Sequence, residues 1–137
     1  MRRFILKSPD AELPTRATKY SAGYDIRANE TITLAVNGTA IISTGIGVEM
    51  ETDKVLFIHI RSGLSSKLGI MLTNGVAVID ADYKYEIKIP VINQGQKPYT
   101  IEKGERIAQG IFQTYLRTDD DNTTAERQGG LGSTGKN

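Results

Sequence analysis

The chain has 137 residues, with 17 Lys and Arg against 16 Asp and Glu, one His, and neither Cys nor Trp. This length favours a single domain that can bury a real hydrophobic core. The absence of Cys excludes disulfides, thiolate metal sites and a catalytic thiol, and a single His argues against a zinc site. A formal net charge of +1 argues against a dedicated nucleic-acid binder.

The first residues and the apolar runs favour a cytoplasmic protein without a membrane partner. The basic opening of the chain is followed by an apolar run of three residues, Phe4-Ile5-Leu6. A secretory signal needs an apolar region of about 7–15 residues. No apolar run approaches the ~18 residues of a membrane span.

Short apolar stretches with the periodicity of strands recur along the chain. Residues 39–44 and 55–60 are rich in strand-forming side chains, and one or two turns of helix are expected around residues 64–68. Residues 86–89 then alternate charged and apolar side chains, and residues 107–116 form a further predicted strand. Many short strands joined by Gly, Asn and Asp turns predict an all-β sandwich or barrel, such as a jelly roll.

The composition changes after Tyr115. Residues 116–137 contain four glycines, and their apolar side chains are limited to Leu116, Ala125 and Leu131. Such a segment cannot bury enough apolar surface to offset its ordering entropy. We therefore expect a β-rich core domain over residues 1–115 and a flexible C-terminal arm over residues 116–137 that becomes ordered on a partner or ligand. A frayed terminus without a role is the alternative.

The glycines near the end of the chain indicate a phosphate-binding flap. Gly130, Gly132 and Gly135 match the G-x-G-x-x-G pattern, but no βαβ unit accompanies them, which excludes a dinucleotide-binding fold. Successive backbone N–H groups without side chains can still form a concavity that binds anions. The hydroxyls of Ser133 and Thr134 would add donors to it.

Two further segments carry groups suited to a phosphorylated ligand. Arg61-Ser62-Gly63 combines a fixed cation, a hydroxyl and accessible backbone N–H groups, although a surface Arg beside a capping Ser is the alternative interpretation. Asp80 and Asp82 are separated by one residue and followed by Tyr83. A carboxylate within hydrogen-bonding reach of a water molecule can act as a general base.

Five segments together resemble the motifs of the trimeric dUTPase family, in the family's order and at compatible spacing. They cover essentially the whole chain and are residues 21–28 (SAGYDIRA), 61–70 (RSGLSSKLGI), 74–86 (centred on IDADY), 104–109 (GERIAQ) and 129–135 (GGLGSTG).

The resemblance implies a distorted jelly roll of the dUTPase-like β-clip type, assembled as a homotrimer. It also implies hydrolysis of dUTP to dUMP and pyrophosphate with Mg²⁺, which lowers dUTP and supplies dUMP for thymidylate synthesis. By position, Asp80 matches the residue that activates the attacking water, Tyr83 the residue beneath the deoxyribose, and Asp25 an acidic residue that reaches the metal through water. The other positions matched to nucleotide contacts are Asn74 with the backbone of Val78, Ile79 and Lys88 for uracil, Arg61, Ser62, Gly63 and Gln109 for phosphates, and Arg127, Leu131, Gly132, Ser133 and Thr134 in the closing arm.

Four positions depart from the family's pattern. Leu131 stands where a Phe usually stacks on uracil, and we expect closure to be weaker by about 1 kcal/mol, by analogy with aromatic pairs. Arg127 lies four residues before Leu131, one fewer than usual. Ala77 and Tyr85 stand where the family usually has glycine, so we expect a locally reshaped hairpin.

Other functions remain open at this stage. A dCTP deaminase shares the fold, but it would need a glutamate base in a different third motif. A nucleotide-switched regulator with reduced catalysis, bound to a protein partner that the sequence does not identify, is suggested by Ala77, Tyr85 and Leu131. A structural all-β protein without a site is disfavoured by five motifs in order.

Overall fold

The computed structural model describes residues 1–131, which form β-structure with one short helix. In chain order the elements are β1 (Arg3–Leu6), β2 (Thr15–Arg16), β3 (Tyr24–Arg27), β4 (Ile32–Leu34), β5 (Thr39–Ser43), β6 (Ile46–Glu49), β7 (Lys54–Ile60), α1 (Ser62–Leu68), β8 (Ile70–Leu72), β9 (Ala77–Ile79), β10 (Lys88–Asn93), β11 (Tyr99–Ile101) and β12 (Arg106–Thr114).

These strands pair antiparallel in four sheets within the described residues. The largest sheet has the order β2-β3-β12-β7-β9, a second has the order β5-β10-β8, and two strand pairs, β1-β6 and β11-β4, complete the fold. The prediction of an all-β fold is therefore confirmed. Antiparallel sheets that pack face to face bury one side of each strand, which explains the alternating sequence pattern.

The predicted strands correspond to observed ones. Residues 39–44 contain β5, residues 55–60 lie within β7, and residues 107–116 contain most of β12, which ends at Thr114. The predicted helical turns belong to α1. The helix ends at Leu68, and Gly69 caps it with a left-handed φ of 72°. Of residues 86–89, only Lys88 and Ile89 lie in a strand, but the alternation holds because Ile87 and Ile89 are both fully buried.

The hydrophobic core lies between the sheets and is built mainly from Ile, Leu and Val. The central strand β7 contributes Leu56 and Ile58, and β10 contributes Ile89 and Val91, all of them fully buried. Burial of one such side chain stabilises a fold by roughly 1.5–3 kcal/mol. The core therefore fixes β7 and β10, the two strands beside which the candidate site lies.

After β12, no helix or strand occurs among the remaining described residues, 115–131. The N–H of Tyr115 donates to the carbonyl of Asp53 over 3.3 Å, and the chain later returns to the turn that follows β9. The seven-residue α1 is the sole helix in residues 1–131, and no helix there is long and apolar enough to cross a membrane.

Candidate active site

A pocket of about 190 Å³ opens beside β9 and the turns that flank it in the sequence, the segment expected to form a hairpin. Its lining combines residues of this segment, two residues of β10 and part of the arm: Asn74, Ala77, Val78, Ile79, Asp80, Tyr83, Lys88, Pro90, Arg127, Gly130 and Leu131. The structure thus brings together the residues matched to uracil, to deoxyribose and to the attacking water, with Arg127 and Leu131 of the arm. We call this the hairpin pocket.

Tyr83 forms the floor of the hairpin pocket. Its ring is 8% exposed, its N–H donates to the carbonyl of Asp80 over 3.0 Å, and its hydroxyl donates to the carbonyl of Glu86 over 2.7 Å. Burial, together with the nearby carboxylate of Glu86, raises the pKa of the Tyr83 phenol. Tyr83 therefore stays neutral and fixes the turn that carries Asp80.

Glu86 anchors that turn to the connection between β5 and β6. Its carboxylate accepts hydrogen bonds from the hydroxyl of Ser43 and from the N–H of Gly45, the latter over 2.8 Å. Burial alone would raise the pKa of Glu86, but these hydrogen bonds and the charge of Lys88 outweigh it and lower the pKa. The turn between β9 and β10 is therefore tied to the body of the protein by a charged group.

The arm contacts Asp80 directly through Arg127. One guanidinium nitrogen lies 2.5 Å from the Asp80 carboxylate, and Nε donates to Asp82 over 2.8 Å. The guanidinium also lies 5.8 Å from the ring centre of Tyr83, and its side chain is only 13% exposed. The hydrogen bond to Asp82 is the main reason that the pKa of Arg127 is raised. The arm's cation thus lies on the carboxylate expected to activate water.

A second group of predicted residues surrounds Asp25 on β3. The carboxylate of Asp25 lies 3.9 Å from Nε of Arg61 and 3.4 Å from a guanidinium nitrogen of Arg106. Next to Arg61, Ser62 and Gly63 begin α1 and are exposed, and a Cβ at Gly63 would meet nothing within 4 Å. A negatively charged ligand could approach this group, which we call the Asp25 cluster.

Gln109 lies beside the Asp25 cluster because of strand register. On β12 it is opposite Asp25 of β3 on one side and His59 of β7 on the other. A Cβ placed on Gly23 would come within 2.3 Å of the Gln109 side-chain oxygen, so glycine at this position leaves room for the amide. His59 is a residue of β7, within the strand predicted over residues 55–60.

The hairpin pocket and the Asp25 cluster lie at opposite ends of β7. Ile79 pairs with Leu56, which puts Asp80 level with Val55, whereas Arg61 follows the last residue of the strand. Six residues at ~3.3 Å each separate the two levels by about 20 Å. Within one chain, the residues at the family's positions for uracil and for the attacking water are therefore far from the residues at its phosphate positions.

The resemblance to dUTPases implies a Mg²⁺ ion, which would need oxygen ligands. No group of three or more His, Asp or Glu in residues 1–131 could hold a metal ion. Mg²⁺ prefers oxygen ligands, keeps several waters and commonly binds through one carboxylate plus substrate phosphates. The carboxylate of Asp25, which is 15% exposed beside two arginines, fits contact through water with an ion carried by phosphates.

The two positions where glycine was expected adopt ordinary backbone conformations. Asn37 is the one residue other than glycine with a positive φ in the described part of the chain, so neither Ala77 nor Tyr85 has one. Ala77 is buried within β9 opposite Ile58, and Tyr85 is 46% exposed. Neither substitution therefore strains the hairpin through φ.

Some residues of the site had no role predicted from the sequence. Asp82, noted beside Asp80 in the sequence, holds the arm, Glu86 holds the turn, and Arg106 shares Asp25 with Arg61. The roles of Glu86 and Arg106 gave no signal in the sequence, because their partners are distant along the chain. Of the predicted arm residues, Gly132, Ser133 and Thr134 lie outside the described residues.

The dUTPase family model matches residues 9–135 of the chain. The chain belongs to the dUTPase family. It is 42% identical over 142 residues to a deoxyuridine 5'-triphosphate nucleotidohydrolase of Debaryomyces hansenii, covering 98% of this chain and 88% of that relative. It is 39% identical over 137 residues to the protein of the same name from Lactococcus lactis, covering 94% of this chain and 91% of the relative.

Solved structures of dUTPases have the same fold. The dUTPase from Streptococcus mutans matches with a TM-score of 0.79 and 31% identity, covering 85% of this chain and 98% of that one. The dUTPase of Staphylococcus bacteriophage 80alpha matches with a TM-score of 0.81 and 26% identity, covering 93% of this chain and 99% of that one. These matches confirm the predicted family and the predicted fold class.

Proposed function

We propose that this member of the dUTPase family hydrolyses dUTP to dUMP and pyrophosphate. The observation that carries the proposal is the position of Asp80, a carboxylate at the edge of a pocket whose floor is Tyr83 and whose wall includes β9. The relatives with about 40% identity are named for the same activity. By this reaction the protein would lower dUTP and supply dUMP for thymidylate synthesis.

The reaction needs a general base, a bound uracil–deoxyribose unit and neutralisation of the negative charge on the phosphates. Asp80 takes a proton from water, the resulting hydroxide attacks phosphorus, and the bond between the α- and β-phosphates breaks to release dUMP and pyrophosphate. General-base catalysis of this kind contributes about 10²–10⁴-fold. Mg²⁺, when carried in by the phosphates, would neutralise their charge, with Asp25 contacting it through water.

The hairpin pocket would select both the base and the sugar. The side chain of Asn74 and the backbone of Val78, Ile79 and Lys88 are fixed groups in the lining, so cytosine, with donor and acceptor exchanged, would leave polar groups unpaired. In the proposal the ring of Tyr83 lies beneath the deoxyribose, where it would exclude an added 2′-hydroxyl. These contacts favour dUTP over dCTP and UTP.

The phosphate end of the site would come from another chain. Arg61, Ser62, Gly63 and Gln109 lie at the far end of β7 from Asp80, and one nucleotide must contact both groups. A second copy that presents its Asp25 cluster to the hairpin pocket satisfies that requirement. We therefore include a homotrimer with shared sites in the proposal.

The shared site can be tested by mixing two inactive variants. Asp80→Asn removes the proposed general base from the hairpin pocket, and Arg61→Ala removes a cation from the Asp25 cluster. If sites are shared, mixed trimers formed by refolding the two variants together contain some sites with both groups intact, and activity returns. Refolding each variant separately is the control. No recovery in mixtures shown to be trimeric would contradict a shared site.

The C-terminal arm, residues 116–137, would close this site over the core domain, residues 1–115. Arg127 and Leu131 already line the hairpin pocket in the described structure. In the proposal Leu131 covers the base, while Gly132, Ser133 and Thr134 donate to the terminal phosphate and Arg127 adds a cation. Backbone N–H groups of a glycine-rich segment suit this role.

The proposed reaction is tested by incubating the purified protein with each deoxynucleoside triphosphate and Mg²⁺, with products separated by chromatography. Selective formation of dUMP and pyrophosphate from dUTP, lost in Asp80→Asn, is the expected result. Ammonia release from dCTP would instead indicate a deaminase. Titration calorimetry of a non-hydrolysable dUTP analogue with and without Mg²⁺ tests the metal separately, and we expect tighter binding with the ion.

Tight dUTP binding without turnover would favour a nucleotide-switched regulator. The dUTPase of phage 80alpha is described as controlling transfer of virulence genes by a proto-oncogenic G protein-like mechanism. The observation that favours such a role here is the arm, which contacts the hairpin pocket through Arg127 and so links nucleotide binding to a surface segment. This role is our second candidate.

A further inference from the structure

An aromatic pair flanks the place where the arm meets the core. The rings of Tyr83 and Tyr85 lie 5.6 Å apart between centres at an angle of 74°, an edge-to-face arrangement. Tyr83 is buried and closes the floor of the hairpin pocket, whereas Tyr85 is 46% exposed. Edge-to-face pairs are favourable beyond their area alone, so Tyr83 helps to orient Tyr85.

Gly130 of the arm lies directly against this pair. A Cβ built on Gly130 would lie 3.3 Å from Cδ2 of Tyr85, 3.5 Å from its Cγ and 3.8 Å from Cε2 of Tyr83. The backbone of the arm therefore passes beside the Tyr85 ring, and a side chain at position 130 would touch the ring tightly enough that the ring would have to shift by a few tenths of an ångström.

Two cavities meet at this contact. Gly130 and Leu131 line both the hairpin pocket, of about 190 Å³, and a second cavity of about 510 Å³. Tyr83 and Lys88 also line both cavities, whereas Tyr85 lines the second cavity and not the hairpin pocket. Tyr85 thus lies against the arm outside the hairpin pocket.

We propose that Tyr85 is the dock that holds the C-terminal arm closed over the hairpin pocket. It is a positioning residue, since it does not line the hairpin pocket and acts through Gly130 and Leu131. The ring supplies apolar area on the core at a position where the arm offers Leu131 and no aromatic side chain. The effect on turnover rests on the proposed function, but the contact itself does not.

The dock differs physically from the ion pairs of Arg127. Asp80 and Asp82 are 54% and 58% exposed, so salt weakens their attraction to Arg127. Contact between Tyr85 and Gly130 involves no charges and persists in salt. At high ionic strength, arm closure should therefore depend mainly on Tyr85.

Limited trypsin digestion of the nucleotide-free protein in high salt tests the dock. Cleavage after Arg127 requires the arm to leave the core, whereas cleavage after Arg117 serves as an internal reference. We expect Tyr85→Ala to accelerate cleavage after Arg127 about three- to tenfold relative to that reference. Tyr85→Phe, which keeps the ring, should behave as wild type. Tyr20→Ala, at a tyrosine that is 86% exposed, is the matched control.

A second variant removes the ambiguity of any general destabilisation. Gly130→Ala places a Cβ against the Tyr85 ring, so it should change the rate of cleavage after Arg127 in the wild-type background but have no effect in the Tyr85→Ala background, where that ring is absent. Unchanged cleavage in Tyr85→Ala, or fully additive effects of the two substitutions, would overturn the dock.

Turnover then separates the dock from the proposed function. If wild type hydrolyses dUTP, Tyr85→Ala should raise KM more than it lowers kcat, with Tyr85→Phe restoring both, and an unchanged KM would overturn the positioning role. If wild type does not hydrolyse dUTP while the cleavage pattern is as expected, the proposed function fails and the dock stands.

Discussion

The guanidinium of Arg127 lies 2.5 Å from the carboxylate of Asp80, across 47 positions of sequence. The same guanidinium donates to Asp82 and covers the ring of Tyr83, so the arm's cation neutralises the proposed base. In the proposed reaction, Asp80 would exchange this partner for water while the negative phosphates attract Arg127.

Arg127→Ala should lower kcat/KM for dUTP by about 10–100-fold, in line with the loss of a charge-assisted contact worth roughly 1.5–3 kcal/mol. Arg127→Lys should recover only part of the loss, because an ammonium cannot present a planar, bidentate fork to the terminal phosphate. Steady-state kinetics at two salt concentrations provides the measurement. Arg3→Ala, at a cation paired with Glu49 on β1 and β6, is the control. Wild-type kinetics in Arg127→Ala would contradict a role for this residue.

Asp80→Asn should lower kcat by about 10²–10⁴-fold and leave nucleotide binding largely intact, because the amide keeps the shape but cannot accept the proton. Single-turnover kinetics, with binding of a dUTP analogue measured separately, distinguishes the two effects. Asp53→Asn alters an exposed carboxylate that pairs with Lys54 and should leave kcat unchanged. Retention of full kcat in Asp80→Asn would assign the base to another group.

Tyr83→Ala should reduce discrimination against UTP, because the ring proposed to exclude the 2′-hydroxyl would be absent. The quantity to measure is the ratio of kcat/KM for dUTP to that for UTP. Tyr83→Phe is the matched variant. It keeps the ring and hence the ratio, but loses the hydrogen bond to the carbonyl of Glu86, which should cost about 1 kcal/mol of stability. An unchanged ratio in Tyr83→Ala would place sugar selection elsewhere.

Glu86 should make stability depend on pH in the acid range. Its pKa is lower in the folded protein than the ordinary value of 4.5, so its contribution is present above that value and is lost as pH falls through the folded pKa. Glu86→Gln should lower the free energy of unfolding at pH 7 by about 1–3 kcal/mol, and the difference from wild type should shrink below about pH 4.

Urea unfolding at pH 7 and at pH 3.5 measures this difference. Glu126→Gln, at an exposed arm residue, should match wild type at both pH values. A difference between Glu86→Gln and wild type that stays constant with pH would show that the hydrogen bonds to Ser43 and Gly45 do not depend on the charge of Glu86.

The sequence predicted the parts of the site that are local. Asn74, Asp80 and Tyr83 lie within ten residues of sequence around β9, so their spacing nearly determines their arrangement. The partners of Glu86 and Arg106 could not be predicted, because they depend on how distant strands pair. The sequence likewise did not show that Ala77 and Tyr85 fit the backbone without strain, because that depends on their φ values.

The sequence by itself determined the family, the all-β class and the positions of four of the twelve strands, because these follow from motif order and from side-chain alternation within short segments. Only the tertiary structure decided where those segments meet. Antiparallel pairing along β7 puts Asp80 and Arg61 at opposite ends of one strand, and the return of the arm puts Arg127 on Asp80 and Gly130 on Tyr85. These contacts are between residues that are distant in sequence, so local sequence patterns do not predict them.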